Sequence, residues 1–319
     1  MKARRCLGGC ILLSVFAAGL VFPFDLKGPL WAEVFDLAHT PAFFFALLFT
    51  VGLMDPPAIG LPARFKPLVP LSWTRIPGIA AVLLLIGGAG ELIQPFVGRS
   101  AGWGDFLANS IGLSAGLIWI AGCRLSGRSR KLMCGLAAGA VFLNCVPTVR
   151  QIASLIQQYR EFPVLASFED PLQRRSWLTH KSRLTFSDEW ASAGKYSGQV
   201  TLFRGQYPMC SLDWFPSDWS NHTNFKIDFF NPSDAEIRLV LKICDRRHLT
   251  TSMEYSDRFH RDIILPPKEQ FSLSVPIDEI RSAPADRELD LTQIAVLEIF
   301  SIDAAHPIVF HMDNLRLAK

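Results

Sequence analysis

The sequence predicts an α-helical, polytopic membrane domain followed by an all-β sandwich. Residues 1–150 carry 13 Lys and Arg against 6 Asp and Glu, whereas residues 151–319 carry 19 against 23. Long uncharged stretches fill the first half, and short alternating segments separated by turn residues fill the second. A shift of composition of this kind marks a domain boundary. We expect a transmembrane domain over 1–149, an amphipathic connector over 150–164 and a β-sandwich over 165–319.

Five uncharged stretches in the first half predict about five transmembrane helices. A helix needs roughly 17–25 residues to cross about 30 Å of hydrocarbon. Two of the stretches reach that length only if they extend through Asp36 and from Glu91 to Phe96. The first stretch follows Lys2, Arg4 and Arg5, so a cleaved signal peptide is its alternative interpretation. The five stretches run from Cys6 to Phe24, Leu37 to Met54, Ile76 to Gly90, Phe106 to Cys123 and Leu132 to Val149.

The basic residues of the short loops predict the orientation. They are concentrated at the N-terminus and in the loops 55–75 and 124–131, whereas the loops between these contain only Lys27 and Arg99. Since short Lys- and Arg-rich loops stay in the cytoplasm, the N-terminus is expected inside and the domain after the fifth helix outside. The lipid bilayer is therefore an expected partner. The mild basicity belongs to these loops and gives no reason to expect nucleic acid.

Seven polar residues interrupt the apolar segments, and the predicted topology brings them to one depth near the outer surface. Ionisable groups inside a membrane are costly, so they indicate a functional site. The alternative is an ion-pair network that only fixes the packing of the helices. His39 beside a carboxylate is a candidate general base, whereas one histidine among scattered acids lacks the dense spacing typical of zinc sites. The seven residues are Asp36, His39, Glu91, Gln94, Arg99, Asp105 and Asn109.

These residues also carry a family resemblance over roughly residues 10–125. The pattern is Asp36-x2-His39, then Glu91-x2-Gln94-x4-Arg99-x5-Asp105-x3-Asn109-x2-Gly112-x3-Gly116. It resembles the VanZ-like family of small multi-helix membrane proteins, whose name comes from a protein associated with resistance to the glycopeptide antibiotic teicoplanin. The resemblance implies a bacterial cell-envelope protein and no settled activity. Together with the loop charges, it leads us to expect an inner-membrane protein with a periplasmic C-terminal domain. Leu37 stands where the family has a basic residue.

Two glycines of the same pattern predict close helix packing. Gly112 and Gly116 form a small-xxx-small stripe that lets a neighbouring backbone approach. After the fifth stretch, apolar residues at helical spacing (Ile152, Leu155 and Tyr159) predict an amphipathic connector.

The C-terminal half is expected to be a β-sandwich built from many short strands. Alternating or apolar runs of five to seven residues are punctuated by turn signals such as Asn231-Pro232-Ser233-Asp234. The clearest runs are Phe225 to Phe230, Ile237 to Ile243, Phe271 to Val275 and Ile308 to Met312.

This half resembles the galactose-binding-like jelly-roll domains found among carbohydrate-binding modules. The elements that carry the resemblance are Phe168-Glu169 on the opening strand, Gly198-Gln199-Val200, Asp218-Trp219-Ser220, Phe229-Phe230-Asn231-Pro232, Asp257-Arg258-Phe259 and the closing Met312-Asp313-Asn314-Leu315-Arg316-Leu317. The resemblance implies a structural calcium ion beside Glu169 and Asp313, which offer the hard oxygen ligands that calcium prefers.

Sugar binding needs exposed aromatic faces with polar neighbours. The candidates are Trp177, Trp190, Trp214, Asp257 and Arg258. One alternative is that the tryptophans lie in the sandwich core, which is favoured for Trp219 because Asp218-Trp219-Ser220 is expected to open a strand in this type of fold. The other is that Asp257 and Arg258 form an internal ion pair. Cys210 and Cys244 would form one disulfide in an oxidising compartment or remain as buried thiols.

The sequence favours a binding protein over an enzyme. The favoured function is binding or handling of an envelope glycan or lipid-linked glycan, with a link to glycopeptide resistance implied by the VanZ-like resemblance. The first alternative is a membrane-embedded transferase or hydrolase acting on a lipid-linked substrate. The second is a non-catalytic assembly scaffold.

Overall fold

The computed structural model describes residues 29–62, 66–93, 103–251 and 253–319. The chain divides into two compact units, Met1–Ile152 and Ala153–Lys319. We refer to them as the helical unit and the β unit. This division confirms the predicted order of a helical half followed by a β half.

The helical unit contains long apolar helices. Within the described residues, four helices are long and apolar enough to cross a membrane. The predicted segment Cys6 to Phe24 lies outside the described residues. Residues 150–160, expected to begin a separate connector, continue the last of these helices without a break. The helices are α1 (Pro29–Met54), α2 (Arg75–Ile93), α3 (Trp103–Cys123) and α4 (Gly127–Arg160).

Apolar residues of these helices are divided between a small core and the outer surface. The core includes Phe43 and Leu47 of α1, which are fully buried, and Leu113 of α3. Large apolar side chains also face outward, among them Leu85 and Leu92, whose exposed fractions are 73% and 74%. An exposed apolar surface of this size fits contact with lipid tails rather than with water.

The β unit is an antiparallel sandwich. One sheet has the strand order β10-β7-β13-β4-β3, with β1 also paired to β13, and the other has the order β2-β6-β11-β8-β9. A small third sheet pairs β12 with β5. The strands are β1 (Val164–Ala166), β2 (Trp177–His180), β3 (Ser182–Ser187), β4 (Ser197–Leu202), β5 (Gly205–Gln206), β6 (Met209–Leu212), β7 (Asn224–Phe230), β8 (Ile237–Asp245), β9 (Phe259–Leu265), β10 (Gln270–Pro276), β11 (Ile294–Phe300), β12 (Asp303–Ala304) and β13 (Ile308–Ala318). A short helix, α5 (Ile277–Arg281), follows β10.

The alternation of buried and partly exposed side chains along the strands explains why the two sheets pack face to face. In β7, Phe225, Ile227 and Phe229 are fully buried while the residues between them are partly exposed. Since successive side chains of a strand point to opposite faces, one face of β7 enters the core. The four segments predicted as the clearest strands are β7, β8, β10 and β13.

Two local predictions about the β unit are wrong. Phe168-Glu169 does not lie on the opening strand, because β1 ends at Ala166 and Phe168 has a φ of 60°, which does not fit a strand. Asp218-Trp219-Ser220 does not open a strand either. It forms a turn in which the Asp218 carboxylate accepts hydrogen bonds from the N–H and hydroxyl of Ser220.

Candidate functional site

Three side chains of the predicted polar cluster meet in the helical unit. Each residue contributes one atom that could bind a metal ion: a ring nitrogen of His39, a carboxylate oxygen of Glu91 and a carboxylate oxygen of Asp105. These three atoms lie within 4.8 Å of one another. Each residue comes from a different helix: His39 from α1, Glu91 from the last turn of α2 and Asp105 from the first turn of α3. His39 and Glu91 are buried, and Asp105 is half-buried. We call these three residues the His39 triad.

Asn109 fixes the orientation of the His39 ring. The Nδ1 atom of His39 lies 2.9 Å from Oδ1 of Asn109, which is fully buried. A carbonyl oxygen only accepts hydrogen bonds, so Nδ1 carries the hydrogen and donates it. The lone pair of the neutral ring is then on Nε2. Asn109 is one helical turn beyond Asp105 on α3, so the same helix supplies both side chains.

One further member of the predicted cluster, Asp36, is placed differently. Asp36 lies on α1 with an exposed side chain, outside the triad. Gln94 and Arg99 lie outside the described residues. The sequence interpretation missed Glu33, which is buried on α1 and precedes Asp36 by three residues. That i, i+3 spacing was the available signal.

Two glycines and one threonine hydroxyl allow α1 and α3 to pack closely beside the triad. A Cβ atom added to Gly112 would lie 2.3 Å from the backbone oxygen of Thr40, and one added to Gly116 would lie 2.9 Å from Leu47 Cδ2. The Thr40 hydroxyl donates to the carbonyl of Ala108 and accepts a 2.7 Å hydrogen bond from the Asn144 amide. Glycine is therefore required where α1 contacts α3.

A second candidate site is a cavity of about 520 Å³ in the β unit. Its size falls within the range of roughly 300–1,000 Å³ that is typical of small-ligand sites. The wall combines three arginines, two hydroxyls and two aromatic side chains. The lining residues are Arg174, Arg175, Trp177, Thr179, Ser182, Arg183, Leu184 and Phe203. We call it the arginine cavity.

The arginine cavity lies at the edge of the sandwich. β2 and β3 are edge strands of different sheets, and a short 3-10 helix, Pro171–Ser176, precedes β2 and carries two of the arginines. The Asp170 carboxylate begins this helix by accepting the N–H of Leu172 at 3.0 Å. Arg183 on β3 lies over the ring of Phe203, with 5.9 Å between its guanidinium carbon and the ring centroid. Lys181, with a φ of 48°, joins the two strands.

The other predicted sugar contacts do not gather at this cavity. Trp190 stacks on Phe230, with 5.6 Å between ring centroids. Trp214 packs against Tyr159, with 5.5 Å between ring centroids. Of the predicted residues, Trp177 lines the cavity, and it is mostly buried against Phe168.

The remaining predicted sugar contacts, Asp257 and Arg258, serve separate interactions. Asp257 binds Arg287 and contacts His248, whereas Arg258 lies over the ring of Tyr255. Trp219 is fully buried and stacks on Phe225, as the core interpretation predicts.

The arginines of the cavity were missed by the sequence interpretation. Arg174 and Arg175 are adjacent to Trp177 in the sequence, and Arg183 follows within the next strand. A group of basic residues around a tryptophan in a domain with net negative charge was the available signal.

The carboxylates proposed for calcium, Glu169 and Asp313, bind backbone N–H groups instead. Glu169 Oε1 accepts from the N–H groups of Lys195 and Tyr196 at 2.7 and 2.9 Å. Asp313 Oδ2 accepts from the N–H groups of Ser192 and Ala193 at 2.8 and 2.9 Å. Calcium needs several oxygen ligands facing one point, whereas here N–H donors of the loop 188–196 face the oxygens. The donor set does not fit calcium, and the two carboxylates hold this loop.

The same loop affects the acidity of two aspartates. Burial raises the pKa of Asp313 above its usual range, although its backbone hydrogen bonds oppose the shift. Burial also raises the pKa of Asp228, but hydrogen bonds from Ser272, Asn314 and Ser192 outweigh that effect and hold the pKa below its usual range. Asp228 therefore remains the charged partner of the Ser192 hydroxyl.

Cys210 and Cys244 are buried free thiols, which settles the alternatives left open by the sequence. They lie on β6 and β8, which are on opposite sides of β11 in the same sheet. Strands separated by one intervening strand are about 10 Å apart, whereas a disulfide requires Cα atoms within about 7 Å.

Comparisons with solved structures find domains with a similar sandwich. A family 11 carbohydrate-binding module from Clostridium thermocellum, in complex with a β-1,3-1,4-mixed-linked tetrasaccharide, is 15% identical, with a TM-score of 0.38. The match covers 49% of this chain and 94% of the module. An exo-β-agarase is 18% identical, with a TM-score of 0.40, over 48% of this chain and 24% of the agarase. An arabinose-bound α-L-arabinofuranosidase is 9% identical, with a TM-score of 0.33, over 46% of this chain and 23% of that protein.

No protein-family model matches the sequence, and no curated protein matches it either. The chain spans about a quarter of the agarase and of the arabinofuranosidase. At these values, no ligand or activity carries over from the solved structures to this chain.

Proposed function

We propose that this chain is an inner-membrane protein of the bacterial cell envelope whose β unit binds an anionic glycan. The arginine cavity carries the proposal. Guanidinium groups form paired, charge-assisted hydrogen bonds with carboxylate or phosphate, which makes a wall with three arginines selective for an anionic ligand. The Phe203 ring and the hydroxyls of Thr179 and Ser182 supply the mixture of apolar and polar contacts that a sugar requires.

The charge of the cavity favours an acidic or phosphorylated glycan over a neutral one. Within the described residues, neither Arg174 nor Arg183 forms an ion pair, so their charges are available to a ligand. Arg174 is exposed, and it adjoins Arg175 on the same short helix. An envelope glycan with carboxylates, or a lipid-linked glycan with a pyrophosphate, has the required chemistry.

The helical unit is proposed to hold the glycan-binding unit at the membrane. Its four apolar helices support a membrane location. The charge of the short loops supports a cytoplasmic N-terminus and a periplasmic β unit. The pattern from Asp36 to Gly116 supports a VanZ-like protein, and with it a link to glycopeptide resistance.

The test is glycan binding by the full chain in detergent micelles. An array of acidic and neutral glycans is probed with the unmodified chain and with Arg174→Gln and Arg183→Gln. Each substitution removes one charge-assisted contact worth about 1.5–3 kcal/mol, so binding should weaken by roughly tenfold or more. Arg238→Gln is the matched control, because Arg238 is an exposed arginine of the same unit, paired with Glu236 and absent from the cavity.

Binding restricted to acidic glycans, lost in the two cavity variants and kept in Arg238→Gln, is the expected result. Binding to neutral glycans alone, or equal losses in all three variants, would overturn the proposal. Raising the salt concentration should weaken binding by the unmodified chain, since the contacts at the exposed arginines are screened.

A further inference from the structure

We propose that the His39 triad binds a first-row divalent transition-metal ion, with Zn²⁺ as the probe ion. This goes beyond glycan binding, because the triad belongs to the helical unit and the arginine cavity to the β unit. The observation that carries the proposal is the meeting of His39, Glu91 and Asp105 from three helices, with ligand-type atoms within 4.8 Å of one another.

The spacing is close to that of a coordination shell. Zinc ligands lie about 2.0–2.2 Å from the metal, which places neighbouring tetrahedral ligands roughly 3.4 Å apart. The triad atoms lie within 4.8 Å of one another, so a metal ion has to draw them only slightly closer together to reach coordination distance. His39 and Glu91 are buried, which limits competition from water.

The hydrogen bond to Asn109 leaves one ring nitrogen of His39 available to a metal ion. Its Nδ1 hydrogen is bound by Asn109 Oδ1 at 2.9 Å, which leaves the Nε2 lone pair for a metal. Metal-binding histidines nearly always donate their other ring hydrogen to a carbonyl or carboxylate in this way. Asn109 is fully buried, and its Nδ2 has no hydrogen-bond partner within the described residues. Within the described part of the chain, the side-chain hydrogen bond of this buried amide is the one to His39.

The donor set selects the class of ion. One imidazole nitrogen with two carboxylate oxygens suits ions such as Zn²⁺, Fe²⁺ or Mn²⁺, whereas Ca²⁺ and Mg²⁺ prefer oxygen ligands alone. Three protein ligands leave a coordination position open, and this position takes a water molecule or an oxygen of an anionic ligand.

Sequence spacing disfavoured this site because the three ligands are separated by long intervals. His39 and Glu91 are on different segments, and Asp105 follows after a further loop. Dense motifs occur when one helix or hairpin supplies several ligands, whereas here each helix supplies one. The three ligands are brought together by the packing of helices α1, α2 and α3, and not by short spacing along the sequence.

The test is a zinc titration of the full chain in detergent micelles after removal of metals by a chelator. Calorimetry should give one high-affinity equivalent of Zn²⁺ for the unmodified chain. His39→Gln should weaken binding by about 100-fold or more through loss of a ligand, and Asn109→Ala by about 10–100-fold through loss of ring orientation. His306→Gln is the matched control, because it makes the same substitution at an exposed histidine of the β unit outside the triad, and its zinc affinity should be unchanged.

A Co²⁺ spectrum separates the triad from the cysteines of the same unit. Cys123 and Cys134 are free thiols, and thiolate ligands give an intense charge-transfer band that nitrogen and oxygen ligands do not give. A Co²⁺ spectrum without that band is expected. Absence of a one-to-one zinc complex in the unmodified chain, or a thiolate band, would overturn the proposal whether or not the variants fold. Unchanged zinc affinity in a folded His39→Gln variant would do the same.

Discussion

Replacing Arg287 with methionine should destabilise the β unit by about 3 kcal/mol, because it leaves a buried carboxylate without its cation. Asp245 has no exposed side-chain surface, and its Oδ2 and Oδ1 lie 2.5 and 2.9 Å from Nη1 and Nη2 of Arg287. The Arg287 side chain also contacts Asp257, which is partly exposed. Removing one partner of a buried ion pair typically costs about 3–5 kcal/mol.

The lower end of that range applies because Asp245 keeps two other partners. The backbone N–H groups of His248 and Asp290 donate to its carboxylate at 3.0 and 2.9 Å. Burial raises the pKa of Asp245, but these bonds together with Arg287 outweigh burial and hold the pKa below its usual range. The hydrogen bond from Arg287 is the largest cause that lowers the pKa of Asp257.

Cys210 provides a probe that reports on the β unit within the full chain. It is fully buried, and burial raises its pKa well above the usual range, so the thiolate that reacts with alkylating reagents is scarce in the folded state. The full chain in detergent is exposed to increasing urea and pulsed with a thiol reagent. Mass spectrometry then measures the labelled fraction of the Cys210 peptide. With a urea dependence of about 2 kcal/mol per molar, the midpoint should fall by about 1.5 M.

Arg238→Met is the matched control for the charge removed. Arg238 and Glu236 are 81% and 46% exposed. An exposed pair of this kind contributes about 0–1 kcal/mol, so the midpoint should move by no more than about 0.5 M. A shift for Arg287→Met as small as that of Arg238→Met would refute the reasoning, because it would show that the Asp245 carboxylate does not depend on its cation.

With a pyridyl disulfide as the thiol reagent, which also reacts at acidic pH, the urea midpoint should show acid sensitivity. The carboxylates that Arg287 binds have lowered pKa values, so their contribution to stability is full above the ordinary aspartate pKa of about 4 and is lost as pH falls below it. Arg287→Met should flatten that dependence, and an equal slope in both proteins would contradict it. Gly112→Ala should lower the unfolding temperature in detergent, because the new Cβ meets a backbone oxygen, whereas Gly139→Ala meets nothing within 4 Å and should not lower it. Both Cys210 and Cys244 should react with a thiol reagent in urea without a reductant, and protection of both would reveal a disulfide.

Local patterning predicted the elements, since both helices and strands have periodicities that can be read from a single chain. The alternation in Phe225 to Phe230 gave β7, and the uncharged stretch Leu132 to Val149 lies within α4. The ends of the helices and strands were harder to predict from the sequence, because they depend on single backbone angles such as the positive φ of Phe168. Residues 150–160, predicted to begin a separate connector, continue α4 to Arg160 although Pro147 lies inside that helix.

The candidate sites were predictable only in part, because they depend on which elements become neighbours. Loop charge indicated a common depth for His39, Glu91 and Asp105, but their separation within 4.8 Å follows from helix packing. The arginine cavity depends on β2 and β3 being edge strands of different sheets, which no local pattern reveals. Glu169 and Asp313 were predicted as calcium ligands from the family resemblance, yet their partners are N–H groups of a loop.

The scaffold interpretation of the polar cluster is weakened by the residues that already pack the helices. The contact of α1 with α3 rests on Gly112 and Gly116, and the Thr40 hydroxyl joins it to Asn144 through hydrogen bonds. The glycines let the two helix backbones approach, and the Thr40 and Asn144 side chains pair their buried polar groups. None of these residues has a titratable side chain. If packing were the only role of the cluster, there would be no need to place an oriented imidazole against two carboxylates at a site where charge is costly. We therefore expect the His39 triad to bind a ligand, and zinc titration of His39→Gln against His306→Gln measures whether it does.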